Sequence, residues 1–188
     1  MNPALLHKLL ASTLPVFLVF LLAGCASQAT DAASPTNQVV NKNTGSKMLP
    51  KDADAITAYH AKVRKDVGVG PLKWSPKLAT FAQQWTDHLA ASSCGMVHRQ
   101  PNNYGENLFM GTDGYYHAAD AAKAWADEKK LYPGGALKES TWHPAGHYTQ
   151  MVWRGTAFMG CGQSVCRKTI IIACNYDPPG NFMGRKPY

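Results

Sequence analysis

The sequence lacks a Cys-x-x-Cys pair, an internal repeat and any run of more than two basic residues. Without a Cys-x-x-Cys pair, neither a structural zinc site nor a thioredoxin-like redox site is indicated. The formal net charge is +7, but the basic residues are scattered and no aromatic–basic stripe accompanies them. This pattern excludes nucleic acid as an expected partner.

The sequence also has no apolar run of the roughly 20 residues that a membrane-spanning helix needs. Its N-terminal apolar stretch, Leu9–Leu22, follows Lys8, is interrupted by polar residues and a proline, and ends in small residues. Such a stretch is typical of a secretory signal. We therefore expect residues 1–24 to be a signal peptide that is removed on export.

The end of that stretch, Leu22-Ala23-Gly24-Cys25, resembles the lipobox of bacterial lipoproteins. The resemblance implies that Cys25 is acylated and anchors the protein stably in the outer membrane or at the cell surface. The alternative is an ordinary cleaved signal, a chance cysteine and a secreted protein. Residues 25–48 are mostly small and polar, and predict a flexible tether to a single, monomeric domain over residues 49–188.

The domain is predicted to have an α+β fold, with a small antiparallel sheet between helices. Ser75 and Pro76 form a helix start signal, and the apolar residues that follow them recur at helical spacing. The run Ile170-Ile171-Ile172 is strongly β-forming. Helices are expected near residues 52–67, 76–93 and 116–132, and strands near 106–109, 157–166 and 169–176.

Four cysteines remain besides Cys25, an even number that is typical of disulfide bonds in an exported protein. If Arg167-Lys168 is the turn between the last two strands, Cys161 lies directly opposite Cys174. That register predicts the bond Cys161–Cys174 and leaves Cys94 for Cys166.

The third predicted helix carries a carboxylate on its apolar face. The apolar face recurs every three or four residues, at Ala118, Ala121, Trp125, Glu128 and Tyr132. A carboxylate in a buried stripe needs hydrogen-bonding partners or an altered protonation state. Glu128 is therefore either a structural residue, bonded to backbone or to Tyr132, or part of a functional site.

Two long motifs resemble the signatures of the CAP superfamily, which comprises cysteine-rich secretory proteins, antigen 5 and group-one pathogenesis-related proteins. The first is Gly146-His-Tyr-Thr-Gln-Met-Val-Trp-Arg-Gly-Thr156, and the second is Ile171-Ile-Ala-Cys-Asn-Tyr-Asp-Pro-Pro-Gly-Asn181. Shorter matches occur at Gly105–Leu108 and His60–Arg64, and further matches are closest to the plant branch. The resemblance covers almost everything after Leu49 and implies an α-β-α sandwich.

The same resemblance implies that His98, Glu106, Glu128 and His147 line a central cleft. In the family the histidines are associated with divalent metal, often zinc. Two imidazoles are half of a zinc coordination set, so His98 and His147 are the expected ligands of a weak site, with the glutamates orienting the imidazoles or a water. The alternative is a hydrogen-bonded polar network that holds no metal. No functional role is predicted for the other histidines of the domain, His60, His88, His117 and His143.

The sequence departs from the family pattern at three places. Ala61 stands where an asparagine is usual, and two cysteines of the plant branch are absent before Gly146. The two bonds that the resemblance still implies are Cys94–Cys166 and Cys161–Cys174. Arg99 stands where a serine often follows the first histidine, which excludes a serine nucleophile there and weakens a protease hypothesis.

Three functions are compatible with these features, and we expect a binding role ahead of catalysis. The first is binding of a lipid or sterol-like ligand outside the cytoplasm. The second is a metal-dependent hydrolase, in which Glu106 or Glu128 acts as general base on a water held at His98 and His147. The third is a surface effector or interaction protein, including release of Pro178–Tyr188 as a peptide, although a packed tail is the favoured interpretation of that segment.

Overall fold

The computed structural model describes Asn41 and residues 43–188. The predicted signal peptide, the candidate acylation site Cys25 and most of the expected tether lie outside the described residues. Within the described part of the chain, no helix is long and apolar enough to cross a bilayer. The elements are α1 (Pro50–Lys65), β1 (Lys73–Trp74), α2 (Pro76–Ala91), β2 (Gly105–Thr112), α3 (Ala118–Asp127), a 3-10 helix (Glu128–Leu131), α4 (Glu139–Met151), β3 (Phe158–Cys166) and β4 (Thr169–Asp177).

The strands form one sheet in the order β1-β3-β4-β2. Strand β4 pairs antiparallel with both β2 and β3, whereas the two-residue strand β1 pairs parallel with β3, so the sheet is mixed rather than purely antiparallel. Because β4 is central and covered on both faces, seven of its nine residues are buried. Burial on both faces explains its continuous apolar run, Ile170–Cys174.

Helix α2 covers one face of the sheet, and α1, α3 and α4 cover the other. On the first face Ala82 of α2 packs with Ala173 of β4. On the second face Ile56 of α1 and Trp125 of α3 belong to the same core cluster as Ile172. The predicted α+β class and α-β-α sandwich are confirmed.

Helix α2 begins at the predicted signal and lies directly against β3. The Ser75 hydroxyl accepts a hydrogen bond from the Leu78 amide, and Pro76 is the first helical residue. A Cβ at Gly160 would lie 2.3 Å from the Ala79 nitrogen, and one at Gly162 would lie 2.4 Å from the Gln83 nitrogen. The close packing of helix and strand therefore requires glycine at both positions.

Helix α4 was not predicted, because its first half reads as a loop. Pro144 lacks a backbone N–H and Gly146 favours neither helix nor strand, which obscures the helical pattern. In the structure the helix is broken at Ala145, whose φ of −136° and ψ of 19° are not helical. Helix α4 is thus two helical halves, and the second half, starting at Gly146, carries His147.

The predicted tether is wrong over its last residues, because residues 43–48 belong to the domain. Met48 is fully buried in the main core, and Thr44 and Ser46 are also buried. The Lys47 amide donates to the Gln83 side chain at 2.8 Å, and its ammonium lies 2.6 Å from the Asp87 carboxylate. Small polar residues resemble a linker in sequence, but here their polar groups are satisfied within the segment, by Trp74 and by α2.

Two disulfide bonds connect the sheet to itself and to the end of α2. Cys161 and Cys174 are direct partners in the β3–β4 register, with Cα atoms 4.1 Å apart. Cys94 is joined to Cys166 across 72 residues of sequence. Closing a loop of that length stabilises a domain by about 4 kcal/mol in the chain-entropy model. These are the pairs expected from the sequence.

A buried arginine joins α1 to the end of α4. Arg64 is 2% exposed, and its guanidinium donates to the carbonyls of Gly70, Met151, Trp153 and Thr156. Burial lowers its pKa to about 10, so the group stays protonated at neutral pH. A cation at the C-terminal carbonyls of a helix also interacts favourably with the helix dipole.

The C-terminal tail packs on the domain. The Leu137 amide donates to the Arg185 carbonyl at 2.9 Å, and the Arg154 amide donates to the Pro187 carbonyl at 2.7 Å. Pro187 is buried, and the ring of Tyr188 packs edge-on against Tyr132. These contacts are those expected for a packed tail, and release of Pro178–Tyr188 as a peptide stays a prediction.

Candidate functional site

A cleft of about 540 Å³ lies between the loop before β2, the start of β2, α4 and the chain that follows β4. Three of the four predicted site residues line it, namely His98, Glu106 and His147. Glu128 does not line the cleft but hydrogen-bonds to the ring of His147. The structure therefore brings all four residues to one region as two histidine–glutamate pairs.

The first pair is His98 with Glu106. His98 Nδ1 lies 2.7 Å from a Glu106 carboxylate oxygen, which also accepts the Arg99 amide at 3.1 Å. The His98 side chain is 58% exposed and that of Glu106 only 3%. Because an ionised carboxylate only accepts, Nδ1 is the donor, and in the neutral imidazole Nε2 keeps its lone pair.

The loop that carries His98 is fastened at two further points. The Arg99 guanidinium lies 3.7 Å from the centre of the Phe81 ring and donates to the Phe81 carbonyl. Four residues before His98, the Cys94–Cys166 bond ties the loop to the end of β3. The side chain of Arg99 thus binds α2 while its backbone binds Glu106.

The second pair is His147 with Glu128, and it also caps the broken helix. His147 Nδ1 lies 2.6 Å from one Glu128 oxygen, and the other oxygen accepts the amides of His147 and Tyr148 at 3.0 and 3.2 Å. The first amides of a helix have no partner within it, and the break at Ala145 places His147 and Tyr148 in the first turn of the second half. Glu128 therefore supplies the N-terminal cap of the second half of α4 and orients the His147 ring.

The two pairs share one chemical arrangement. In each, a carboxylate accepts from Nδ1, so each imidazole has Nε2 left to bind a metal or a ligand proton. No group of three or more metal-ligating side chains is present among the described residues. Two imidazoles are half of a zinc coordination set, so water or a ligand would have to complete it.

Among the residues that the structure describes, two buried oxygen atoms near the cleft have no hydrogen-bond partner. They are Glu106 Oε2 and Asn175 Oδ1. Glu106 and Asn175 are direct partners in the β2–β4 register, so their side chains leave the same face of the sheet. Two adjacent buried acceptors require a donor, and a bound water satisfies such groups.

A series of hydrogen-bonded polar side chains links α1 to His147, and it was not predicted from the sequence. His60 is fully buried, with Nδ1 2.8 Å from the Ile56 carbonyl and Nε2 2.9 Å from the Tyr176 hydroxyl. The Asn107 carboxamide donates to that hydroxyl oxygen and to the His147 carbonyl, both at 3.1 Å. The signal was the position of His60 four residues after Ile56, on the buried face of α1.

Burial sets the protonation of this chain. Removal from water lowers the pKa of His60 to about 4 and raises that of Tyr176. His60 is therefore neutral at pH 7. Its Nδ1 carries the proton donated to the Ile56 carbonyl, and its Nε2 accepts from the Tyr176 hydroxyl.

The profile of the cysteine-rich secretory protein (CAP) family matches residues 57–176. This range covers most of the sandwich and all four predicted site residues. The chain therefore belongs to the cysteine-rich secretory protein family. Membership, together with two disulfide bonds, indicates an extracellular, secreted protein.

The named relatives include plant proteins of the pathogenesis-related group. Pathogenesis-related protein 1A of Nicotiana tabacum is 42% identical over 130 residues, covering 69% of this chain and 76% of the relative. Pathogenesis-related protein PRMS of Zea mays is 43% identical over 138 residues, covering 72% and 81%. These values support the predicted similarity to the plant branch.

Several solved structures have a similar fold. The crystal structure of NaASP2 with Zn²⁺ matches with a TM-score of 0.68 at 25% identity, covering 80% of this chain and 90% of NaASP2. Venom allergen-like protein 4 of Schistosoma mansoni matches with a TM-score of 0.57 at 30% identity, covering 74% and 95%.

Stability should fall as the pH falls from about 6.5 to 4, because His60 must take up a proton. The unfolded chain binds this proton near pH 6.5 and the folded protein only near pH 4, so stability rises with pH between these values. Going from pH 7 to 4.5 should cost about 2–3 kcal/mol through this residue. Urea unfolding at both pH values, compared between wild type and His60→Gln, measures it.

The matched control is His88→Gln, since His88 is exposed. It should keep the pH dependence of the wild type, whereas His60→Gln should lose most of it. Equal pH dependence in wild type and His60→Gln would show that His60 is not the residue responsible.

Proposed function

We propose that this protein is an extracellular binding protein whose cleft holds a divalent metal through Nε2 of His98 and Nε2 of His147. Zinc is the metal to test first. The observation that carries the proposal is the repeated pairing of each imidazole Nδ1 with a carboxylate. This pairing fixes the tautomer and ring orientation that metal-ligating histidines need. The glutamates then serve as orienting groups rather than as ligands.

The expected site is weak and exchangeable. Zinc prefers four ligands, and two imidazoles leave positions for water or for a ligand from solution. The exposed position of His98 allows exchange with solvent. When bound, the cation would supply a positive charge that attracts carbonyl or anionic groups of a ligand. The similarity to NaASP2, a protein crystallised with Zn²⁺, supports this proposal.

Zinc titration of the purified domain by calorimetry tests the metal proposal. Wild type should bind one equivalent, and His147→Ala should lose binding because it removes one of two imidazoles. Glu128→Gln, which keeps one oxygen but loses the charge, should weaken binding by about tenfold or more. His88→Ala should bind as wild type does. Equal zinc affinity in His147→Ala and wild type would refute the site.

We infer, as a second candidate function, that the cleft binds a lipid or sterol-like ligand. Trp142 and Met183 line the cleft beside the polar groups, and Phe182 is 45% exposed next to Met183. A cavity lined by both polar and apolar groups fits an amphipathic molecule, whose apolar part would contact Trp142 and Met183.

Titration with a fluorescent sterol analogue tests the second candidate. Binding should be saturable in wild type and about tenfold weaker in Trp142→Ala, which removes a large apolar surface. Tyr115→Ala is the control, because Tyr115 is 73% exposed and is not among the residues that line the cleft. Non-saturable binding, or equal binding by both variants, would count against an apolar ligand in this cleft.

We further propose that Cys25 anchors the domain to a membrane through acyl chains. The support is the sequence Leu22-Ala23-Gly24-Cys25 at the end of the predicted signal. Expressed in a bacterial host, the full chain should incorporate an acyl label and partition into detergent. Cys25→Ser should lose the label, and Ser27→Ala should retain it. An unlabelled wild-type protein in the aqueous phase would identify a secreted form instead.

A further inference from the structure

The chain that follows β4 forms part of the cleft. Gly180, Asn181 and Met183 line it together with His147. The first residues after β4 are held in place, since the Thr156 hydroxyl donates to the Pro178 carbonyl at 2.9 Å and the Gly180 amide donates to the Gln150 side chain at 3.0 Å. This segment is therefore a fixed wall rather than a loose end.

The side chain of Asn181 holds the turn that carries His147. Its Oδ1 accepts from the Thr149 hydroxyl at 2.7 Å, and its Nδ2 donates to the Gly146 carbonyl at 2.8 Å. Gly146 and Thr149 are on either side of His147 in the first turn after the break in α4. One carboxamide thus binds both ends of the turn.

Asn181 and Glu128 act on opposite polar groups of this turn. Glu128 accepts the amides of His147 and Tyr148, whereas Asn181 binds the Gly146 carbonyl. These two side chains come from different elements. A shift of the turn away from either Glu128 or Asn181 would therefore break hydrogen bonds. The position of the His147 ring depends on both.

The backbone conformation at Asn181 favours asparagine at this position. Its φ is +60°, a left-handed conformation that asparagine tolerates better than most residues. Before it, a Cβ at Gly180 would lie 2.6 Å from the Trp153 ring. Asparagine combines the required backbone conformation with a side chain that both donates and accepts.

We propose that Asn181 is a positioning residue for His147, and that the segment Pro179–Asn181 is a structural wall of the cleft. The expected effect of Asn181 on metal affinity rests on the proposed zinc function. Its expected effect on the ring of His147 does not need a metal. Metal affinity at the cleft therefore depends on a tail that lies beyond the last strand.

The test variant is Asn181→Gly, which removes the carboxamide but permits positive φ. Zinc binding by calorimetry should weaken by about tenfold, as for other groups that orient a ligand. In the metal-free protein, the imidazole ¹⁵N and ¹H signals of His147 should move or broaden, because the turn is no longer held. The signals of His88 and His98 should stay unchanged. Lys186→Ala, at an exposed position of the tail outside the cleft, is the control for a general disturbance of the tail and should leave all readouts as in wild type.

Thr149→Val is the second variant, since it removes one of the two hydrogen bonds without changing the tail. It should shift the His147 signals in the same direction by a smaller amount, and it serves in place of Asn181→Gly if that variant does not fold. Unchanged His147 signals in both variants would overturn the inference. If wild type binds no zinc, the proposed metal function fails, whereas the His147 signals of the metal-free protein still decide the role of Asn181.

Discussion

The carboxylate of Glu128 is the group on which the cleft depends. It accepts two amides in the first turn after the break at Ala145, and it accepts the ring N–H of His147. Leaving buried amides unpaired costs about 1–3 kcal/mol each, so the broken helix requires such a cap. The negative charge also sits at a helix N-terminus, where it is favoured electrostatically. The residue that stabilises α4 is therefore the residue that orients the imidazole, and its structural and functional roles are not separable.

The two sides of the cleft differ in how they are built. The His147 side is part of a helix that is bonded at its start by Glu128 and at its end by Arg64. The His98 side is a loop, attached through a disulfide bond and through Arg99, and its histidine is more exposed than His147, at 58% against 31%. The imidazole on the loop is thus open to solvent, whereas the imidazole on the helix is mostly covered.

Local signals in the sequence predicted the parts of the fold that depend on neighbours in the chain. The start of α2 at Ser75, the register that pairs Cys161 with Cys174 and the inward position of Glu128 are of this kind. Helix α4 was not predictable, because Pro144 and Gly146 obscure its pattern and its cap comes from another element. His60 and residues 43–48 were missed for a related reason, since contacts that hold them in the domain, such as His60 with Tyr176 and Lys47 with Gln83, join residues far apart in the chain. Membership of the family supplied His98 and Glu106, whose contact depends on the folded loop.

Helix α2 rests on the bare backbone of β3 at Gly160 and Gly162. Because neither glycine has a Cβ, the helix lies close to the strand. The loop that carries His98 starts from the end of this helix. The two glycines therefore fix the distance from the sheet at which this loop, and with it His98, leaves the sandwich.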